Sequence, residues 1–331
     1  MARLFQMTAP VLDLVYKVRA VPVSGEEAVV TGFAMTPGGG FNAMVAARAA
    51  GIEVTLAGSL GTGPFASVVA QELARNGITL ARAPVAQGDQ GCCVVLIEPD
   101  GERSFISSPG AEGTLDADDL AGVAVQAGDW VLLSGYTLYY PGSGKAASDW
   151  IAALPPAVTV MFDPSPLADQ IPAEILATVM ARADWISANE AEAAMLLAGA
   201  RGRALGPDLA QGRQGAILRH GAAGATLIHA GHSVPVPAHP VTVIDTNGAG
   251  DTHIGSFIAR MCLTGDPLAS LRYANIAAAL STTREGPATA PPSAEVLALL
   301  CANNTSAHNN PANNTPANNT PKEPPNGPAN V

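Results

Sequence analysis

No cluster of basic side chains occurs anywhere in this chain of 331 residues, where 17 lysines and arginines face 28 acidic residues for a net charge of −11. Nucleic acids and anionic membranes demand a positive footprint, so neither is expected as a partner. Any polyanion the protein binds must be held locally, by backbone amides, a few cations or a metal. Long apolar runs are missing too. None approaches the roughly 18 residues of a spanning helix, and Asp13 and Lys17 interrupt the first hydrophobic stretch, where an export signal would lie. Cysteine is scarce. Of Cys92, Cys93, Cys262 and Cys301, two are adjacent and none forms a C-x-x-C pair, which points to neither a disulfide framework nor a zinc knuckle. These absences describe a soluble, cytoplasmic protein.

What is present alternates. Apolar strand-like runs at residues 130–133, 158–162, 184–187 and 216–219 are separated by helical stretches at 145–154, 172–182 and 190–197. That alternation predicts an α/β fold, a doubly wound, mostly parallel sheet flanked by helices, with function at the carboxyl ends of the strands. Residues 18–33 and 91–107 alternate apolar and polar with no helix between them, and Glu98-Pro99-Asp100-Gly101-Glu102 reads as a hairpin turn in the second. Strands without helices predict a small separate β-sheet, which over an active site acts as a lid. From residue 302 onward Pro-Ala-Asn-Asn-Thr recurs in tandem and apolar side chains nearly vanish. Residues 302–331 are therefore expected to form a disordered tail behind a folded domain of residues 1–301.

The most informative stretch is Asp-Thr-Asn-Gly-Ala-Gly-Asp, residues 245–251, between a short apolar strand pattern (Val241, Val243, Ile244) and a helical one from Thr252. Small residues there leave backbone N–H groups unobstructed, and a helix N-terminus adds positive potential, which makes an anion cradle suited to phosphate. A carboxylate at Asp251 repels what such a cradle attracts. The conflict disappears if Asp251 takes a proton from a hydroxyl about to attack phosphorus, while the amides of Gly248, Ala249 and Gly250 neutralise charge on the transferred group. The alternative is an acid that caps a helix after a glycine turn.

Three further patterns allow two readings each. Gly38-Gly39-Gly40-Phe41-Asn42 lets a ligand approach the backbone, with Asn42 donating and accepting toward sugar-like hydroxyls, or is a flexible lead-in to a helix. Arg219-His220-Gly221-Ala222-Ala223-Gly224 lies between a strand and an alternating hairpin, as a nucleotide-phosphate loop would, though the pattern alone is weak. Asn189 and Glu192, one helical turn apart, suit a hydrated Mg²⁺ or a helix cap. His229, His232 and His239 read as a surface turn, and Gly144-Lys145 lacks the Ser or Thr and the first glycine of a P-loop.

Together these pieces resemble the ribokinase-like carbohydrate kinases, the PfkB family, over about residues 4–300, with residues 245–251 matching the signature D-T-x-G-A-G-D. The resemblance implies transfer of an ATP γ-phosphoryl group to a hydroxymethyl group of a sugar or nucleoside, on an α/β sandwich with a small β lid. By that similarity Asp251 is the general base and Gly248, Ala249 and Gly250 the anion hole. Asn189 with Glu192 matches the N-x-x-E motif for phosphate and water-held Mg²⁺, while Arg219, Gly221 and Gly224 match the loop over the ATP phosphates. Asn275 falls where the adenine pocket is lined. Asp13, on the first strand, with Gly38, Gly39 and Asn42, falls in the sugar-binding region. Asp245, Asn247, Ser281, Arg284 and Gly286 lie where monovalent-cation ligands, K⁺ in particular, occur in ribokinases.

The resemblance also has departures. Pro37 stands where the first glycine of a pair is usual, Gly39 where ribokinase has a sugar-contacting lysine, Ser134-Gly135-Tyr136 in place of an acidic contact, and Ala290 where one cation ligand carries a hydroxyl. Where relatives acting on sugar phosphates have an arginine on the first lid strand, this chain has Cys92-Cys93, with Arg103 as a partial substitute. The implied acceptor is thus a free sugar or sugar acid, and the implied assembly a homodimer through the lid. A nucleoside kinase is the rival enzyme, with Phe33, Phe105 and Tyr136 as candidate stackers. A silent sugar-binding regulator is the rival of another class, and Asp251 speaks against it, because a binding module needs no base.

Overall fold

The computed structural model describes residues 2–197 and 205–308. In chain order its strands begin with β1 (Leu4–Gln6), β2 (Pro10–Val18), β3 (Val30–Gly39), β4 (Val54–Leu56), β5 (Thr79–Leu80), β6 (Cys92–Ile97) and β7 (Arg103–Ser108). There follow β8 (Trp130–Ser134), β9 (Thr159–Asp163), β10 (Trp185–Asn189), β11 (Gly215–Arg219), β12 (Ala225–His229) and β13 (His232–Val236). Among the described residues these form two sheets. The larger runs β13-β12-β11-β10-β9-β8-β1-β4-β5 and the smaller β3-β2-β6-β7.

The large sheet is parallel from β5 through β11 and antiparallel only at the β11–β12–β13 edge. Successive side chains on a strand point to opposite faces, so each strand feeds two cores. Leu4, Leu132, Met161, Trp185 and Ile217 enter one; Phe5, Val131, Val160, Ile186 and Ala216 enter the other. Helices Gly40–Ala49, Ala249–Thr264 and Pro267–Ser281 cover the first face, through Phe41, Met44, Phe257 and Leu271. Pro141–Ala153 and Ala173–Arg182 cover the second, through Ile151, Ile175 and Val179. Burial on both faces is why the central strands read as near-continuous apolar runs.

The small sheet is present, but its strands are displaced from the expected 18–33. The first hairpin pairs β2 with β3, and residues 19–29 connect them. Pro22 and Gly25 in that connection interrupt a ladder. Asp13 consequently lies on β2, a central strand of the lid, rather than on the first strand of the main sheet. The second hairpin matches expectation, with Glu98 N–H donating to Glu102 O across its turn. Helix Ser293–His308 carries helical backbone seven residues beyond the expected domain end at 301; residues 309–331 of the expected tail lie outside the described residues.

Candidate active site

The Asp245 to Asp251 turn is not fed by a strand. Residues 241–243 are irregular, Val243 and Ile244 are exposed, and the Ile244 and Asp245 N–H groups donate to Thr282 O at 2.7 and 3.0 Å. The turn is thus hung on the end of helix Pro267–Ser281 instead of the sheet. Gly248, at φ 72°, is the N-cap of helix Ala249–Thr264 and has no side-chain cap; this left-handed conformation is one that glycine adopts without strain. Asp251 sits one turn inside and does not cap. Its Oδ2 accepts a hydrogen bond from Asn42 Nδ2 at 3.0 Å. Burial pushes the Asp251 carboxyl up and Glu192 adds to this, while the Asn42 hydrogen bond and the Arg219 charge oppose it.

Asp13 approaches from the lid. A Cβ at Gly38 would collide with the Asp13 carboxylate, which makes the side-chain-free position on β3 a packing requirement rather than a flexible lead-in. Burial, helped by the Asp251 charge, pushes Asp13 up to about 6. Asn42 is buried, lies against Gly248, and has an Oδ1 with no hydrogen-bond partner among the described residues. Gly39 is the N-cap of helix Gly40–Ala49 that delivers Asn42. In register, Asp13 faces Cys93, which faces Ser107. Phe33 pairs with Tyr16, out of phase with Asp13, and so stands on the opposite lid face, whereas Phe105, two residues from Ser107, shares the Asp13 face.

A cavity of about 420 Å³ adjoins this gap, and Asn189, Arg219, Gly221, Gly224, Gly250, His253 and Asn275 all line it. The five residues read from sequence as nucleotide-binding therefore converge on one space. Asn189 and Glu192 form a capping box, with Asn189 N donating to Glu192 Oε2 at 2.8 Å and Glu192 N to Asn189 Oδ1 at 2.9 Å. Capping is not their whole role, because Glu192 Oε2 also accepts from Arg219 Nη2 at 2.8 Å. Arg219 lies against Gly250, where a Cβ would displace its guanidinium. Asn275 lines the cavity with its amide already engaged, donating to Val236 O and Pro237 O and pairing with His253 Nε2. It holds the cavity wall.

Two residues here escape the sequence reading. Burial and the Arg219 charge push His253 down to about 4 against its bond to Asn275, so it is neutral. Asp163, at the carboxyl end of β9, stands 3.6 Å from Arg219. Burial pushes it up to about 7; Arg219 pulls it down, and Glu192 and Asp251 push it further up. The folded protein thus holds the Asp163 proton to about pH 7, while an unfolded chain releases it near the ordinary 3.8. Ionisation then costs folding stability as pH rises through that window. Asp163→Asn should melt with wild type near pH 4 and increasingly above it toward pH 7; a flat or shrinking difference would refute the shift.

The five residues implied as monovalent-cation ligands gather around Asp245, but both Asp245 carboxylate oxygens are already taken by N–H donors and the Ser281 carbonyl by Arg284 N and Thr289 Oγ1. Asp245 Oδ1 accepts from Arg103 Nη2 at 2.5 Å and Asn247 N at 2.9 Å, and its Oδ2 from Gly286 N at 3.0 Å. Arg284 Nη1 donates to Thr289 O at 3.1 Å and Ala290 O at 3.5 Å, and Ser281 O accepts from Thr289 Oγ1. Burial raises the Asp245 carboxyl, but the bonds from Asn247, Arg103 and Gly286 outweigh it and hold it below its usual value. This donor set does not fit a K⁺ ion.

Comparison with known proteins agrees with this architecture. The family model described as pfkB family carbohydrate kinase matches residues 8–294. The chain is 32% identical to an uncharacterized sugar kinase, YegV, of Escherichia coli over 87% of its own length and 91% of that protein. It is 30% identical to the ATP-dependent ribose-1-phosphate kinase of Halopiger xanaduensis, over 87% and 94%. A ribokinase structure from Thermotoga maritima superposes with a TM-score of 0.76 at 22% identity, covering 91% of this chain and all 100% of the other. With a family match over most of the chain, lid and glycine turn included, the chain belongs to the pfkB family of carbohydrate kinases and has its ribokinase-like fold.

Proposed function

We propose that this enzyme moves the γ-phosphoryl group of ATP to a hydroxymethyl group of a free sugar or sugar acid. The observation that carries the reading is the approach of two carboxyls, Asp13 from the lid close enough to feel the charge of Asp251 at the helix start, beside a cavity lined by Gly250 and Arg219. Asp13 accepts hydrogen bonds from acceptor hydroxyls, and the free Asn42 Oδ1 accepts another. Asp251, oriented by Asn42, takes the proton of the attacking hydroxymethyl oxygen as the new O–P bond forms. The bond from γ-phosphorus to the bridging oxygen breaks, and ADP leaves with its electron pair. Amides at Gly248 and Gly250, on the positive helix end, neutralise the transferred group, whereas the Ala249 N–H expected beside them already donates to Thr246 O at 3.2 Å.

Asn189, Arg219, Gly221 and Gly224 hold the nucleotide phosphates in this reading, and Asn275 keeps the base end of the cavity shaped. Mg²⁺ supplies charge neutralisation to those phosphates when bound. Asp163 and Glu192, whose Oε1 accepts no hydrogen bond among the described residues, are hard oxygen donors that suit it through water.

A free acceptor is favoured because Cys93 stands opposite Asp13 and Arg103 is occupied by Asp245. The other cation on this lid face, Lys17, is paired with Glu285, so neither is free to read a phosphate of the kind handled by the relative named ribose-1-phosphate kinase. Phe33 faces away and cannot stack on a base, whereas Phe105 shares the Asp13 face and keeps a nucleoside as the rival acceptor. An ADP-release screen over pentoses, hexoses, sugar acids, sugar phosphates and nucleosides tests this. Fastest release with a free sugar or sugar acid is expected, and fastest release with a nucleoside or sugar phosphate would overturn it.

The opposite lid face carries Phe33, Met35 and Ile106, at 54%, 50% and 62% exposure. A second copy of the chain covers it in this reading, since monomers rarely expose a contiguous apolar face. Light scattering should give twice the chain mass, falling to one on Phe33→Asp with Ile106→Asp; a monomeric wild type would exclude the dimer.

A further inference from the structure

The misfit at the monovalent-cation position has a physical content of its own. Asp245 begins the turn that ends in Asp251, and Arg103 lies on β7, an edge strand of the lid. The pair is 142 residues apart in sequence and mostly shielded, with side-chain exposures of 26% and 12%. Behind it, Arg284 ties down the carbonyls of Thr289 and Ala290 and pairs with Glu295 at 3.0 Å. A monovalent ion entering here would meet a carboxylate whose charge the Arg103 guanidinium already neutralises. A second, exposed ion pair, Lys17 with Glu285, joins the same loop to the lid.

We propose that Arg103 is the built-in cation of this site, neutralising Asp245 and fixing the Asp245 to Asp251 turn from the lid, so that turnover needs no K⁺. The proposal rests on the kinase reading above. Arginine stays charged at any physiological pH, so the charge that an ion would bring and withdraw is here covalently attached. It is a positioning residue, acting through Asp245 on the turn. Because only one guanidinium nitrogen engages the carboxylate, an ammonium can replace it.

The test measures ADP release with the best acceptor, and melting temperature, in KCl against choline chloride at equal ionic strength. Wild type should differ by less than about twofold between the salts and melt at the same temperature in both. Arg103→Ala should lose about tenfold or more in kcat, the worth of one charge-assisted hydrogen bond. The KM for ATP should move little, Arg103→Lys should recover most of the loss, and added K⁺ or guanidinium should restore part of it to Arg103→Ala. A wild type activated tenfold by K⁺, or one whose melting rises specifically with K⁺, would overturn the proposal, as would an Arg103→Ala enzyme with unchanged kcat. If Arg103→Ala fails to fold, the wild-type salt comparison still decides. Absence of ADP release with every acceptor in both salts would instead sink the kinase reading, leaving the melting comparison to judge Arg103.

Discussion

Asp251→Asn should fold, bind nucleotide and transfer almost no phosphoryl group. The asparagine is nearly isosteric, and its carbonyl oxygen can accept the Asn42 Nδ2 hydrogen bond that Asp251 Oδ2 accepts now. It cannot accept a proton from the attacking hydroxyl at neutral pH. General-base assistance is worth about 10²–10⁴-fold, so kcat should fall by that order. The residue is suited to the role by its surroundings, since burial raises its proton affinity while the Asn42 hydrogen bond and the Arg219 charge favour its ionised form. Nucleotide affinity should survive, because the cavity wall is made by other side chains. A variant keeping more than about a tenth of wild-type kcat with its best acceptor would remove Asp251 from the chemistry.

The parts of this molecule that could be read from sequence are those whose pattern is local. Trp130 to Ser134 is a buried run because helices cover both faces of its sheet, and no other packing makes five successive residues apolar or small so economically. The 245–251 run was legible because an acid beside glycines is chemically odd enough to need a reason. The lid's first strand was not, because Asp13 and Lys17, though in phase on one of its faces, are separated by Val15, which blurs the alternation into an interrupted apolar stretch. Val243 and Ile244 imitate a strand, yet the Ile244 and Asp245 N–H groups donate to Thr282 O and no sheet partner is paired there among the described residues. Asp163 stands alone at the end of β9 with no partner at a telling spacing, and its setting emerges only when helix Glu190–Leu196, β11 and helix Ala249–Thr264 bring Glu192, Arg219 and Asp251 beside it. The Arg103–Asp245 pair is invisible for the same reason at greater range.

Asp13→Ala should strike the acceptor and spare ATP. The carboxylate lies on β2 of the lid, packed on Gly38, with the gap to Asp251 in front of it. The cavity proposed for the nucleotide is lined from β10, β11, the 238–246 stretch and helices Ala249–Thr264 and Pro267–Ser281, and Asp13 is not among its lining residues. Charge-assisted hydrogen bonds to hydroxyls are worth about 1.5–3 kcal/mol each, or roughly 10- to 150-fold in binding. The loss should therefore fall on kcat/KM for the acceptor, while KM for ATP at saturating acceptor barely moves. Some of it should reach kcat, because a hydroxymethyl group that is no longer held drifts from Asp251. The ionised form is the better acceptor of hydrogen bonds, and Asp13 is pushed up to about 6. Wild-type kcat/KM for the acceptor should then rise with pH through about 6, and that limb should flatten in Asp13→Ala. Steady-state kinetics with each substrate varied in turn, repeated across pH 5 to 8, measures both effects. An acceptor kcat/KM unchanged by the substitution, or a defect confined to ATP, would place the sugar elsewhere and reverse the orientation of the whole cleft.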